Sequence, residues 1–210
     1  MVQNVESYVS EANRQLDNQQ HYSILTADPN CKKKYNSIVN ELYESGHITE
    51  KTKDWAILKP NLVRPQQFYH LPKIQKTMVN PPGRPIVSGS GGPTENLSKL
   101  VASWLQDIVC KLPSYIKDSS HVLNIIEDWN RNHGPFPENT RLVAIDVVSL
   151  YTNIPHEDIE VSVKHFLYEF PQLNVPPADV IVDVMNHILR NNTFIFEGKV
   201  YKKNSWHQRV

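Results

Sequence analysis

The sequence predicts an α+β fold. Apolar residues recur at three- and four-residue steps through much of the chain, as helices require. Between these segments lie short extended runs bounded by Gly, Pro and Asn, which read as hairpins. A third signal is Arg141–Val148, nearly continuously apolar, which reads as a strand buried on both faces.

The elements follow in order. Residues 4–20 read as a polar helix, and 31–45 as another that stops at Gly46. A short helix over Thr49–Leu58 is stopped by Pro60. These pieces are rich in Asn, Gln, Lys and Glu with thin apolar faces, so residues 1–58 read as a helical extension packed on something else. Phe68–Lys73 and Arg84–Ser88 are extended runs around a turn holding Asn80, Pro81, Pro82 and Gly83, the signature of a hairpin. Gly89–Pro93 is a breaker and not a phosphate-cradling loop, because no Gly-Lys-Ser/Thr follows at the required spacing. Thr94–Cys110 and Ser119–Asn132 read as helices, with Leu97, Leu100, Trp104 and Ile108, then Val122, Ile125, Ile126 and Trp129, turned inward. After the Arg141–Val148 strand, His156–Phe170 and Ala178–Arg190 read as helices. Thr193–Tyr201 closes as a hairpin turning at Glu197-Gly198.

Composition bounds the function. With 40% apolar and 21% charged residues the chain is ordinary globular protein. No run approaches the ~20 apolar residues of a membrane span, and the N-terminus lacks an apolar signal core, so the expectation is an intracellular protein, nuclear or cytoplasmic, with no membrane partner. Cys31 and Cys110 have no metal-ligand spacing. The nine histidines include no His-x-x-x-His, so a zinc site is unsupported. Net charge is zero but unevenly spread. Residues 51–99 carry eight basic residues against Asp54 and Glu95, while 146–188 carry seven acids against Lys164. That split suits a protein gripping phosphates with one part and cations with the other, and it equally suits two solvated surfaces.

Asp146 is the residue that most needs a reason. A carboxylate ending an apolar strand is costly unless it is paired or bound to a cation. A strand end can hold a carboxylate steady against a divalent ion, as a two-metal polymerase needs. An Asp capping a turn is the plain alternative.

The run Ala144-Ile145-Asp146-Val147-Val148-Ser149-Leu150-Tyr151-Thr152-Asn153-Ile154-Pro155 resembles motif A of reverse transcriptases, and most closely that of Penelope-like retroelements. Phe68-Tyr69-His70-Leu71-Pro72-Lys73-Ile74-Gln75-Lys76 resembles that family's fingers motif, and Arg84-Pro85-Ile86-Val87-Ser88 the one after it. Gly92–Leu97, Phe194–Tyr201 and, upstream, Glu11–Leu16 with Asp28-Pro29 fit in order and spacing, so the resemblance covers roughly residues 8–201. It implies the fingers and part of the palm over 59–201, behind the helical extension 1–58. It implies an RNA template, a DNA primer and deoxynucleoside triphosphates as partners, and Mg²⁺ as cofactor. Asp146 would be the catalytic carboxylate and would bind the metals, with the Val147 carbonyl on the nucleotide-side ion. Tyr151 would lie under the sugar and exclude a 2′-hydroxyl. Lys73 and Arg84 would hold the triphosphate, and Lys76 would touch the template strand. Read singly, each is also an ordinary core tyrosine or solvated charge.

The chain departs from the family in one respect that decides the expected activity. It contains no Asp-Asp pair, and the resemblance stops near residue 201, leaving 202–210 as a divergent tail. The expectation is therefore a partial polymerase domain, without the thumb or an endonuclease, that is inactive alone. The alternative reading is a non-enzymatic remnant that binds RNA or an RNA–DNA hybrid weakly. A helical interaction module on residues 1–58 is a third, with no specific motif behind it.

Overall fold

Each helix begins and ends on local chemistry. The first, α1 (Val5–Leu16), starts where the Asn4 side chain accepts the Glu6 N–H at 2.9 Å. Strand β1 (Tyr22–Leu25) precedes α2 (Lys32–Glu44), which ends at Gly46 with φ +73°, a left-handed position glycine adopts freely. Thr49 caps α3 (Glu50–Ala56) by accepting the Thr52 N–H. Strands β2 (Gln67–Pro72) and β3 (Gly83–Ser88) lead to α4 (Glu95–Val109). Asp118 caps α5 (Ser119–His133) through the His121 N–H at 2.9 Å. Helices α6 (His156–Glu169) and α7 (Ala178–Arg190) both follow a proline. The chain then forms β4 (Thr193–Phe196) and β5 (Lys199–Lys203), joined by Glu197 (φ +46°) and Gly198 (φ +75°), a two-residue turn with both angles positive. The structure is a computed structural model that describes residues 4–26, 32–59, 63–147, 154–170 and 174–204.

The strands make one mixed sheet in the order β1-β5-β4-β2-β3. Its pairs are antiparallel except β2 with β4, which run parallel and meet at Gln67 and Ile195. The α+β class expected from the sequence is what this helix-and-sheet arrangement shows.

Two cores hold these elements. On one sheet face Phe68, Phe194, Phe196 and Tyr201 pack with Ala12 and Leu16, one turn apart on α1. Phe194 stacks on both Phe68 and Tyr201, at 5.7 and 5.6 Å between ring centres. The second core is helical. Tyr35 and Val39 of α2, Leu97 and Val101 of α4, Leu167 of α6 and Ile181 and Val184 of α7 meet there. Burial of each such side chain contributes about 1.5–3 kcal/mol. Residues before and after position 58 share both cores.

Three expectations change. Arg141–Val147 forms no helix or strand and is exposed, with Leu142 and Ile145 each 90% exposed, and it joins no sheet. Val148 lies outside the described residues. A strand apolar on both faces needs a neighbour on each edge and cover above and below, and none of the described strands pairs with this run. Helix α5 forms as expected, but none of its residues is buried: Val122, Ile126 and Trp129 are half-buried and Ile125 is exposed. Strand β1 has no sequence signal, and it pairs with Val200–Lys203, so Lys202 and Lys203 belong to the sheet.

Candidate phosphate-binding hairpin

The β2–β3 register sets the candidate site. Phe68 lies opposite Val87, and Leu71 opposite Arg84. The Lys73 N–H donates to the Pro82 carbonyl at 2.8 Å, carrying the ladder one residue past Pro72. Alternation puts Phe68 and His70 on the core face. Tyr69, Leu71 and Lys73 then fall on the other face, where cross-strand pairing also places Arg84. Two cations distant in sequence thus share one face of one hairpin. Arg84 is exposed and Lys73 half-buried. Both phosphate-holding expectations therefore fall at one place.

The hairpin fits these residues. Pro72 and Pro85 lack an N–H, and both sit where that group would point away from the partner strand, so no ladder bond is lost. Lys76 is exposed in the connecting loop, where its N–H donates to the Lys73 carbonyl at 3.0 Å. Asn80 takes φ +46° there.

Helix α1 lies against the hairpin. Gly83 N–H donates to Glu11 Oε1 at 2.8 Å, and Gln15 Nε2 donates to the Gly83 carbonyl at 3.1 Å. Arg14 grips the same carboxylate from the helix side, at 2.6 and 2.8 Å. Those Arg14 bonds chiefly hold the Glu11 carboxyl down at about 2; partial burial pushes the other way, and Gly83 and Gln15 add to Arg14. Across the hairpin, His70 N–H donates to the Tyr8 hydroxyl at 3.0 Å while the two rings stack at 4.0 Å.

The acidic half of the expected site is not assembled here. Asp146 and Val147 stand on the exposed segment 141–147, outside any helix or strand, and Val147 is 57% exposed. Tyr151 lies outside the described residues. Among the described residues no three His, Cys, Asp or Glu side chains gather into a group that could hold a metal ion. A two-metal site draws on more than one carboxylate, so Asp146 with the described acids does not fit one.

Comparison with protein-family models, curated proteins and solved structures finds no match.

The residues that sequence reasoning left without a role are Tyr8, Glu11, Gln15 and Gly83. A signal was present. Glu11 and Gln15 repeat at the same four-residue step as Ala12 and Leu16, one position earlier, so a polar pair flanks the apolar stripe that docks.

Proposed function

We propose that this chain is the fingers and first part of the palm of an RNA-directed DNA polymerase similar to those of Penelope-like retroelements, and that alone it binds phosphate without polymerising. The single observation that carries this reading is the shared face of Lys73 and Arg84 on a hairpin whose two strands bear the fingers-type motifs. Lys supplies a compact point charge and Arg a planar fork that meets two phosphate oxygens at once. The ordered series of motifs between residues 8 and 201 supports the polymerase ancestry. Asp146, Val147 and Tyr151 are the palm residues this reading names, with Mg²⁺ as the ion that would supply charge stabilisation in phosphoryl transfer. The exposed Asp146 segment and the lack of an Asp-Asp pair favour a second reading: a chain that only binds RNA or an RNA–DNA hybrid.

The test has two parts. Chain incubated with primed RNA template, deoxynucleotides and Mg²⁺ is expected to incorporate nothing above background. Binding to an RNA–DNA hybrid is expected to be weak, to fall steeply with salt through counterion release, and to weaken further in Lys73→Glu with Arg84→Glu. Template-dependent extension abolished by Asp146→Ala would show that the catalytic site is complete. Binding indifferent to salt and to both charge reversals would remove the basis for a phosphate grip.

A further inference from the structure

The ladder leaves the Gly83 peptide facing outward. Because Lys73 N–H bonds to the Pro82 carbonyl, residues 73 and 82, and by alternation 71 and 84, are the hydrogen-bonding pairs. Pro72 and Gly83 lie between them, so both backbone groups of Gly83 point away from β2, off the edge of the sheet. An open edge leaves such groups to water or to another strand. Here one helix takes both. Glu11 accepts the N–H, and Gln15, one turn later, donates to the carbonyl. A 2.7 Å hydrogen bond joins the two side chains to each other. On the adjoining strand, the His70 N–H also points away from its partner, and Tyr8 takes it. Helix α1 therefore holds an outward group on each strand, directly before the chain reaches Arg84 and close before Lys73.

We propose that Glu11 is a positioning residue for Arg84 and Lys73: by pinning the Gly83 peptide it fixes the end of the hairpin from which both cations project, and so sets the affinity for a triphosphate. This rests on the phosphate-binding role proposed above. A guanidinium fork meets two phosphate oxygens only when its backbone is held to within about 0.5 Å. Opposite Lys73, Pro82 has no N–H to return the bond that its carbonyl accepts, so this end of the ladder is held by a single backbone hydrogen bond. The Glu11 carboxylate of α1 adds a hold from outside the sheet by accepting the outward Gly83 N–H.

The experiment measures two quantities in the full chain: binding of inorganic tripolyphosphate, and hydrogen exchange of the Gly83 amide by NMR. In Glu11→Ala the Gly83 amide is expected to lose protection and tripolyphosphate affinity to fall about five- to tenfold, the size of one typical net hydrogen bond. Glu11→Gln keeps an oxygen acceptor and is expected to restore both readouts to near wild type. Arg14→Ala, which leaves Glu11 on Gly83, is expected to bind within about twofold of wild type. Unchanged affinity in Glu11→Ala, or an equal loss in Arg14→Ala with Gly83 still protected, overturns the positioning role while leaving the phosphate grip intact. A wild-type chain with no affinity for tripolyphosphate sinks the proposed function and this inference together.

Discussion

At the scale of single residues, Gly83 has the least freedom in the candidate site. A Cβ there would fall 2.5 Å from His70 Nδ1 and 2.9 Å from Gln15 Nε2. His70 is buried and stacked on Tyr8, so its ring has little room to withdraw. Gly83→Ala is expected to destabilise the chain by about 1–3 kcal/mol, the usual cost of overpacking. Chemical denaturation checks this, and an unchanged midpoint would mean that α1 and the hairpin move apart at no cost. The sequence marks Gly83 only as a turn residue. Its requirement for glycine comes from the His70 ring across the hairpin and from Gln15 of α1, which no local pattern reveals. Arg84 and Lys73 were legible, because their motif setting singles them out from other surface cations.

At the scale of elements, the segment 141–147 is the main departure from expectation. Its nearly continuous apolar character and β-branched residues describe a strand, and a strand is stable only when its backbone groups find partners. Leu142, Val143, Ile145 and Val147 instead lie open to solvent. An exposed apolar run without a partner is a site for self-association. Leu142→Lys with Ile145→Lys is therefore expected to reduce binding of an apolar dye and to reduce light scattering. The same pair is expected to shift stability by less than about 0.5 kcal/mol per site, as exposed positions do. A large drop in the thermal midpoint would show that the segment is packed in solution. Helix α5 follows the same logic. Its period and its Asp118 cap are written locally, whereas burial of Trp129 and Ile126 requires an opposing layer.

At the scale of the whole molecule, acid should destabilise the fold in two stages. His187 is buried in α7, and burial, with a smaller contribution from Lys34, pushes it below the ordinary histidine value of 6.5. A folded-state value below the unfolded one means stability is fully present above 6.5 and is lost as pH falls. Glu11 repeats the sign lower down. Its contribution is present above 4.5 and disappears as pH falls through about 2. Glu11→Gln is expected to flatten the loss between those two values and to leave the first stage alone, in unfolding curves collected across pH. An identical acid limb in the variant would mean that the α1–hairpin contact adds nothing to global stability. Both stages act on one unit because α7 belongs to the helical core and runs almost directly into β4 of the sheet core.

The sequence by itself determined the helices and both hairpins. Those features rest on period, caps and turn chemistry, which act over a few neighbours. Gly46 and the Glu197-Gly198 turn stop or reverse the chain where they were expected to. Only the tertiary structure decided that β1 joins the sheet, that α1 clamps Gly83, and that the apolar run around Asp146 stays unpaired. Each of these depends on a partner distant in sequence: Lys203 for Tyr22, Glu11 for Gly83, and for Leu142–Val147 a strand that the described sheet does not provide. A strand or an edge peptide is stabilised by what pairs with it, so its own residues state its capacity to pair and leave the partner unnamed.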